Sequence, residues 1–263
     1  MSYNFIAGNK SFYYIMNEKL YQYSYSGSPK QISFASDKIY ACWMNVEENG
    51  AFYLTRATNS GKYELKYYSI KDNKVIDRKT PIYVDNAHMV TFGDNKIYYI
   101  DNTTANDNIM QVNMNDFSSK PKRIKSMTDT SFSVCYHNGK LYVGSSQYSG
   151  SLNVIDLSNT KMHNYVINND GNESDGVYCF VDGNDICVAR NYDTSISAYN
   201  SEIGILKYGN YTKLTSFNYR NVNGIYPAYG YENKCFFTTF DTVENSSYLS
   251  GIDMTSGYVT DFD

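Results

Sequence analysis

A short run of residues recurs six times along the 263-residue chain, and that periodicity constrains the fold more than any other feature. The run NKSFYYIM at 9–16 returns as NGAFYLTR, DNKIYYID, NGKLYVGS, GNDICVAR and ENKCFFTT, each time with a polar turn launching an apolar, aromatic strand. Taking Phe12, Phe52, Ile97, Leu141, Ile186 and Cys235 as equivalent gives intervals of 40, 45, 44, 45 and 49 residues, close to one sixth of the chain. Each unit also repeats internally. A strand precedes the turn (130–137, 175–182 and 224–231), and a third with period-two alternation follows at 19–25, 63–70, 108–114, 151–157, 203–209 and 247–254. A turn cluster such as SGSP, KDN or LSNT then leads into a short fourth strand.

Four antiparallel strands repeated six times, without separate capping units, predict radial closure: an all-β, six-bladed β-propeller forming one domain over 1–263. The expected blades are approximately 1–35, 36–85, 86–128, 129–172, 173–219 and 220–263. Their inner strand opens the chain at 2–7 and their outer strand ends it at 258–262, so closure needs no strand exchanged between the termini. Packing of residues such as Phe5 and Tyr229 would then seal the ring. Composition agrees: 29 Tyr and 13 Phe favour strands, and no helical period is sustained.

At Tyr98-Tyr99-Ile100-Asp101 the sequence resembles the YWTD repeat of six-bladed propellers of the low-density-lipoprotein-receptor type and their bacterial relatives. All six units match in spacing. Tyr53 and Thr55 keep two letters of the motif, Thr238 and Tyr13 one each, and only the third unit keeps both Tyr and Asp. The resemblance implies a ligand-binding propeller without inherent chemistry, in which Asp101 has a structural role between blades. The cysteine-rich modules of those receptors are absent from this sequence.

Charge and motifs narrow the function. With 23 Lys and Arg against 27 Asp and Glu, the net charge of -4 provides no broad basic stripe, so nucleic acid is not an expected partner. No apolar run reaches the length of a membrane span. The opening MSYNFIAGNKSFYYIM lacks a basic segment followed by an apolar one, which predicts a cytoplasmic chain; a leader removed beforehand would place it outside the cell. Cys42, Cys135, Cys179, Cys187 and Cys235 lie in apolar runs without CxxC spacing, so buried free thiols are expected, with no metal and no cofactor. The three histidines fall on an inner-strand start (His88), a turn (His137) and an outer strand (His163), too dispersed for one metal. The oxygen-rich loop 168–176 departs from a calcium loop at Asp175 and Val181 and reads as a solvated turn. Ser145 and Ser146 lack a spaced His and acid.

Tyr13, Tyr53, Tyr98 and Tyr142 alternate along strands and are expected to pack between blades. Tyr148, Tyr192, Tyr199 and Tyr219 fall in polar connections, where an exposed ring can anchor a partner. The connections from second to third strand (55–62, 100–108, 190–202, 239–247) and between blades (82–88, 167–176, 217–223) read as the long ones, all on one side of the ring. The expected binding face therefore gathers Arg56, His88, Asp101, Tyr148, Arg190, Tyr192, Tyr219, Arg220 and Asp241 around the channel mouth. The leading reading is a monomeric, non-catalytic propeller recognising a protein or peptide. A carbohydrate-binding propeller and a hydrolase, lactonase or lyase with a channel-mouth site are the alternatives.

Overall fold

The computed structural model describes residues 5–7, 11–24, 27–32, 38–44, 49–57, 61–147, 150–167, 174–182, 185–193, 199–227, 234–241 and 243–262. Within them the side chains of 5–7, 12, 174–175, 182, 193, 199, 223–227, 234 and 236 are outside the description.

The chain forms six consecutive sheets, each an antiparallel meander of neighbours in sequence. The first holds β1 (Phe5–Ala7), β2 (Ser11–Met16), β3 (Lys19–Ser24) and β4 (Lys30–Ile32). The second holds β5 (Ala41–Met44), β6 (Gly50–Arg56), β7 (Tyr63–Ser69), β8 (Lys74–Ile76) and an added β9 (Ile82–Val84). A 3-10 turn, Ala87–Met89, leads to the third: β10 (Val90–Gly93), β11 (Lys96–Asp101), β12 (Asn108–Asn113) and β13 (Lys122–Ser126). The fourth is β14 (Ser131–His137), β15 (Lys140–Ser145), β16 (Ser151–Asp156) and β17 (Met162–Val166). The fifth is β18 (Ser174–Asp182), β19 (Asp185–Asp193), β20 (Tyr199–Lys207) and β21 (Asn210–Phe217), and the sixth β22 (Arg220–Pro227), β23 (Lys234–Asp241), β24 (Ser246–Asp253) and β25 (Val259–Phe262). This is the six-bladed β-propeller repeat. The first and last blades each use only their own end of the chain, as expected.

Local chemistry explains the hairpins. Two-residue turns between twisted strands need both central residues left-handed, and Asn17-Glu18, Asp94-Asn95, Asn138-Gly139 and Tyr208-Gly209 all have φ between 46° and 81°. Between the turns the second strands bury their tyrosines, β6 and β11 on both faces: Tyr13, Tyr53 and Tyr98 are buried, and Tyr142 is packed against the cluster of Cys135, Leu152, Val177 and Val188. All five cysteines are buried and none is joined in a disulfide.

Contacts divide the chain into two compact units, 1–87 with 112–122 and 88–111 with 123–263. In the first, Tyr13, Leu20, Ile39, Tyr53 and Tyr68 form the core. Phe117 packs edge-on to Phe52, and Arg78 lies over the Phe117 ring while donating to the Ser119 carbonyl at 2.7 Å. The second unit holds two clusters, one around Val177, Ile186 and Val188, the other around Ala189, Ile203, Cys235, Phe237 and Ile252.

The structure corrects several boundaries. The outer edge of the second sheet comes in two pieces: β8 pairs with Tyr67–Ser69 and β9 with Tyr63–Leu65, so 82–88 is not a simple connection. Between them stand Arg78, whose guanidinium is held by Thr80 and Ser119, and Pro81, which has no amide for a ladder. The last inner strand starts at Arg220 rather than 224, leaving only 218–219 between the fifth and sixth blades. Strands β19 and β20 reach Asp193 and back from Tyr199, so most of 190–202 is ladder, not loop. In the first blade the second-to-third connection is the two-residue turn 17–18. Tyr148, Tyr229, most of the loop 168–176 and the Phe5 side chain lie outside the described residues.

Candidate functional site

Within the second unit, the apolar faces between blades become polar toward one end of the sheets. Along β23 the residues facing the core run Cys235, Phe237, Thr239, Asp241, and their partners on β24 run Ile252, Ser250, Tyr248, Ser246. Along β19 the corresponding face runs Ile186, Val188, Arg190, Tyr192. In the fourth blade the Asn164 amide donates to Gln147 Oε1, Ser151 Oγ and Asn153 Oδ1 at 3.0, 2.9 and 2.8 Å. The polar end is the one carrying the second-to-third connections 102–107, 146–150, 194–198 and 242–245. The opposite end carries the two-residue turns 94–95 and 138–139.

Successive blades are stitched by side chains that grip the next inner strand. Thr91 Oγ1 accepts from the Tyr136 amide at 3.1 Å. Ser133 Oγ donates to the Val177 carbonyl at 2.8 Å and accepts from the Cys179 amide at 3.2 Å. The Asn191 side chain donates to the Val222 carbonyl and accepts from its amide, both at 2.9 Å. Register shifts at Ser131/Ser133, Ser174/Gly176 and Val222/Gly224 bend each inner strand near these seams.

The charged cluster lies at the polar end of the last blade. Arg220, the first residue of β22, stands opposite Asp241. Its Nε is 3.6 Å from Asp241 Oδ2 and its Nη1 3.0 Å from Asp261 Oδ2, and its guanidinium lies 4.4 Å from the centre of the Tyr248 ring. The Tyr248 hydroxyl donates to Glu244, and Ser250 to Asp261. The amides of Glu244 and Val243 both bind Asp241 Oδ1 at 2.9 Å. Those amides, Glu244 first, and the Arg220 charge hold the Asp241 carboxyl below the usual carboxylate range. Burial pulls Asp261 upward, but the Ser250 hydrogen bond and Arg220 outweigh it and its pKa is lowered. Beside the cluster Tyr219 is held left-handed at φ 62°, its amide bound to Asn200 Oδ1 at 2.9 Å. Val243 is 71% exposed, and Tyr219, Leu249 and Phe262 are exposed as well.

Of the residues expected on a binding face, Tyr219, Arg220 and Asp241 are therefore brought together. Arg190 is not on the surface: it is 1% exposed, 3.9 Å from Glu202 and stacked over Tyr192 in the fifth blade, with Tyr211 donating to Glu202 at 3.1 Å. Tyr192 is half-buried in β19 rather than in a loop. His88 lies in the 3-10 turn with its ring 5.0 Å from that of Tyr178. Asp101 accepts from Thr103 N and Oγ1 at 3.0 and 2.6 Å, closing its own connection. Arg56 is exposed at the end of β6 in the first unit. Tyr248, Val243 and Asp261 escape the sequence reading; the polar alternation Thr239–Asp241 along a strand that begins apolar is their one signal. Among the described residues, no group of three His, Cys, Asp or Glu is placed to hold a metal ion, and no helix is long and apolar enough to cross a membrane.

No protein-family model and no curated protein sequence matches the chain. Its fold matches solved structures. It is similar to an oligogalacturonate lyase in complex with manganese at 12% identity and a TM-score of 0.67, over 95% of this chain and 72% of that one. TolB from Acinetobacter baumannii is similar at 13% identity and a TM-score of 0.61, over 92% of this chain, which spans 59% of that protein. Kuenenia stuttgartiensis hydrazine synthase is similar at 9% identity and a TM-score of 0.62, over 96% of this chain and 92% of that one. Such low identities define the class, a β-propeller.

Proposed function

We propose that this propeller recognises a protein or peptide through the polar end of its second unit. The observation supporting this is the cluster at the last blade: an arginine held between two aspartates and stacked on a tyrosine, edged by exposed Tyr219 and Val243. A held cation and an aromatic shelf with an apolar edge are the ingredients of an interface hot spot. The opposite end also exposes aromatics, Tyr208 and Tyr258, but beside Tyr208 stands the simple pair Lys207–Asp185 rather than an arginine shared by two carboxylates.

Selection from a random-peptide display library tests the reading. Selected peptides are expected to lose at least tenfold in affinity, about 1.4 kcal/mol, on Val243→Ser with Tyr219→Ser. Asn138→Gly, which suits the left-handed backbone at that position, should leave binding unchanged. Peptides that ignore the double variant but depend on Tyr208 would move the binding surface to the other end.

A further inference from the structure

We infer that the partner segment docking on the last blade presents an arginine or lysine flanked by apolar residues; this rests on the reading above. Asp241 and Asp261 flank one guanidinium and Glu244 binds the Tyr248 hydroxyl beside it, so the cluster carries two more negative charges than positive. Among the described residues, no second cation pairs with these carboxylates. Arg220 is already engaged by Asp241, Asp261 and the Tyr248 ring, so an incoming anion would have to displace a carboxylate and sit among the others. An incoming cation meets the repulsion of one guanidinium but the greater attraction of the carboxylates, at the exposed edges of Asp261 and Glu244.

A second feature points the same way. Thr239 is fully buried on the same face of β23 as Asp241, across from Tyr248, and its hydroxyl oxygen has no hydrogen-bond partner. A buried acceptor left over beneath the aromatic shelf suits an N–H donor entering from the carboxylate side. The exposed Val243 and Tyr219, next in the chain to Glu244 and Arg220, account for the apolar flanks.

Three acetylated, amidated peptides test the charge assignment: Ala-Leu-Arg-Leu-Ala and its counterparts with central Gln or Glu, titrated into the full chain and followed by NMR. The Arg peptide should bind at least fivefold more tightly than the Gln peptide, and added salt should erase that advantage. Glu244→Gln should remove at least threefold of it, with an unchanged melting temperature as the control for folding. Val243→Ser should weaken the Arg and Gln peptides alike. A Glu peptide that binds best would make Arg220 the anchor and overturn the inference, as would an Arg peptide that fails to bind at millimolar concentration. Equal affinity for all three, lost on Val243→Ser, would refute the charge assignment while leaving recognition at this face intact.

Discussion

Arg190 and Arg220 stand on consecutive blades, each stacked on a tyrosine and each facing carboxylate oxygens, yet they do opposite jobs. Arg190 is 1% exposed and shares its side of β19 with Ile186 and Val188, so its charge has left water and depends on Glu202. Arg220 is 23% exposed at a strand end, where solvent still screens its pairs with Asp241 and Asp261. The same side chain is a structural member in one place and, in the function proposed above, part of a recognition surface in the other. What separates them is position along the strand. Arg190 has three more residues of ladder beyond it, whereas Arg220 has only the turn 218–219 before it.

Removing each arginine is the strongest way to break this comparison. Arg190→Ala leaves Glu202 buried without its cation and should cost about 3–5 kcal/mol in urea denaturation. Replacing both members, Arg190→Met with Glu202→Leu, should recover most of that loss, because two apolar side chains no longer need each other's charge. Arg220→Ala should cost only about 1 kcal/mol. Equal losses from the two single variants would mean that exposure does not separate the roles.

The seam beside Arg190 comes next in size. Asn191→Ala removes both hydrogen bonds to Val222 and strands an amide and a carbonyl at a buried position, an expected loss of about 2 kcal/mol. Asn191→Asp should keep the contact to the amide but turn an acceptor toward the carbonyl. Its loss should therefore match or exceed that of alanine above the carboxylate pKa and shrink in acid. A loss below about 0.5 kcal/mol in both variants would show that water replaces the side chain at this seam.

Acid should act on the Arg220 cluster. The carboxyls of Asp241 and Asp261 are depressed in the folded protein, so their stabilisation is fully present above the unfolded value near 4. It is lost as pH falls through the lower folded values, because the unfolded chain then binds protons first. The melting temperature should therefore fall between about pH 5 and 2, and Asp261→Asn should flatten that slope. A variant with the wild-type slope would remove Asp261 from the acid response.

These outcomes bear on what the residue string could reveal. The third strand of most blades is legible to within a residue or two, because a run such as SLNVID, buried at five of its six positions, is followed by the turn residues Ser158-Asn159-Thr160. The two-residue turns are legible too, since Asp94-Asn95 and Asn138-Gly139 are among the few pairs that tolerate two left-handed residues. Arg190 misleads because a charge ending an apolar run looks like the start of a loop, whereas the facing Glu202 on β20 and the Tyr192 ring meet its guanidinium in the interior. The inner strand of the last blade is hidden by its polar opening, Arg220-Asn221-Val222-Asn223, whose backbone is paired with Phe240 and Thr239. Tyr248 and Asp261 are invisible for a related reason: one polar residue on an outer strand looks the same whether it faces solvent or a neighbouring cluster.

The smallest effect sharpens the comparison most, because it separates folding from binding at one residue. Tyr219 has its backbone left-handed, a conformation that costs a non-glycine residue about 1 kcal/mol, and its ring is exposed. Tyr219→Gly relieves that strain, loses some ring contact and loosens the unfolded chain, so stability should change by less than about 0.5 kcal/mol. The amide bound to Asn200 remains in the variant, which keeps the turn in place. Peptides selected on the wild-type protein should nevertheless bind the variant more weakly by threefold or more. A stability loss above about 1.5 kcal/mol would instead make the Tyr219 ring part of the core and return it to the company of Arg190.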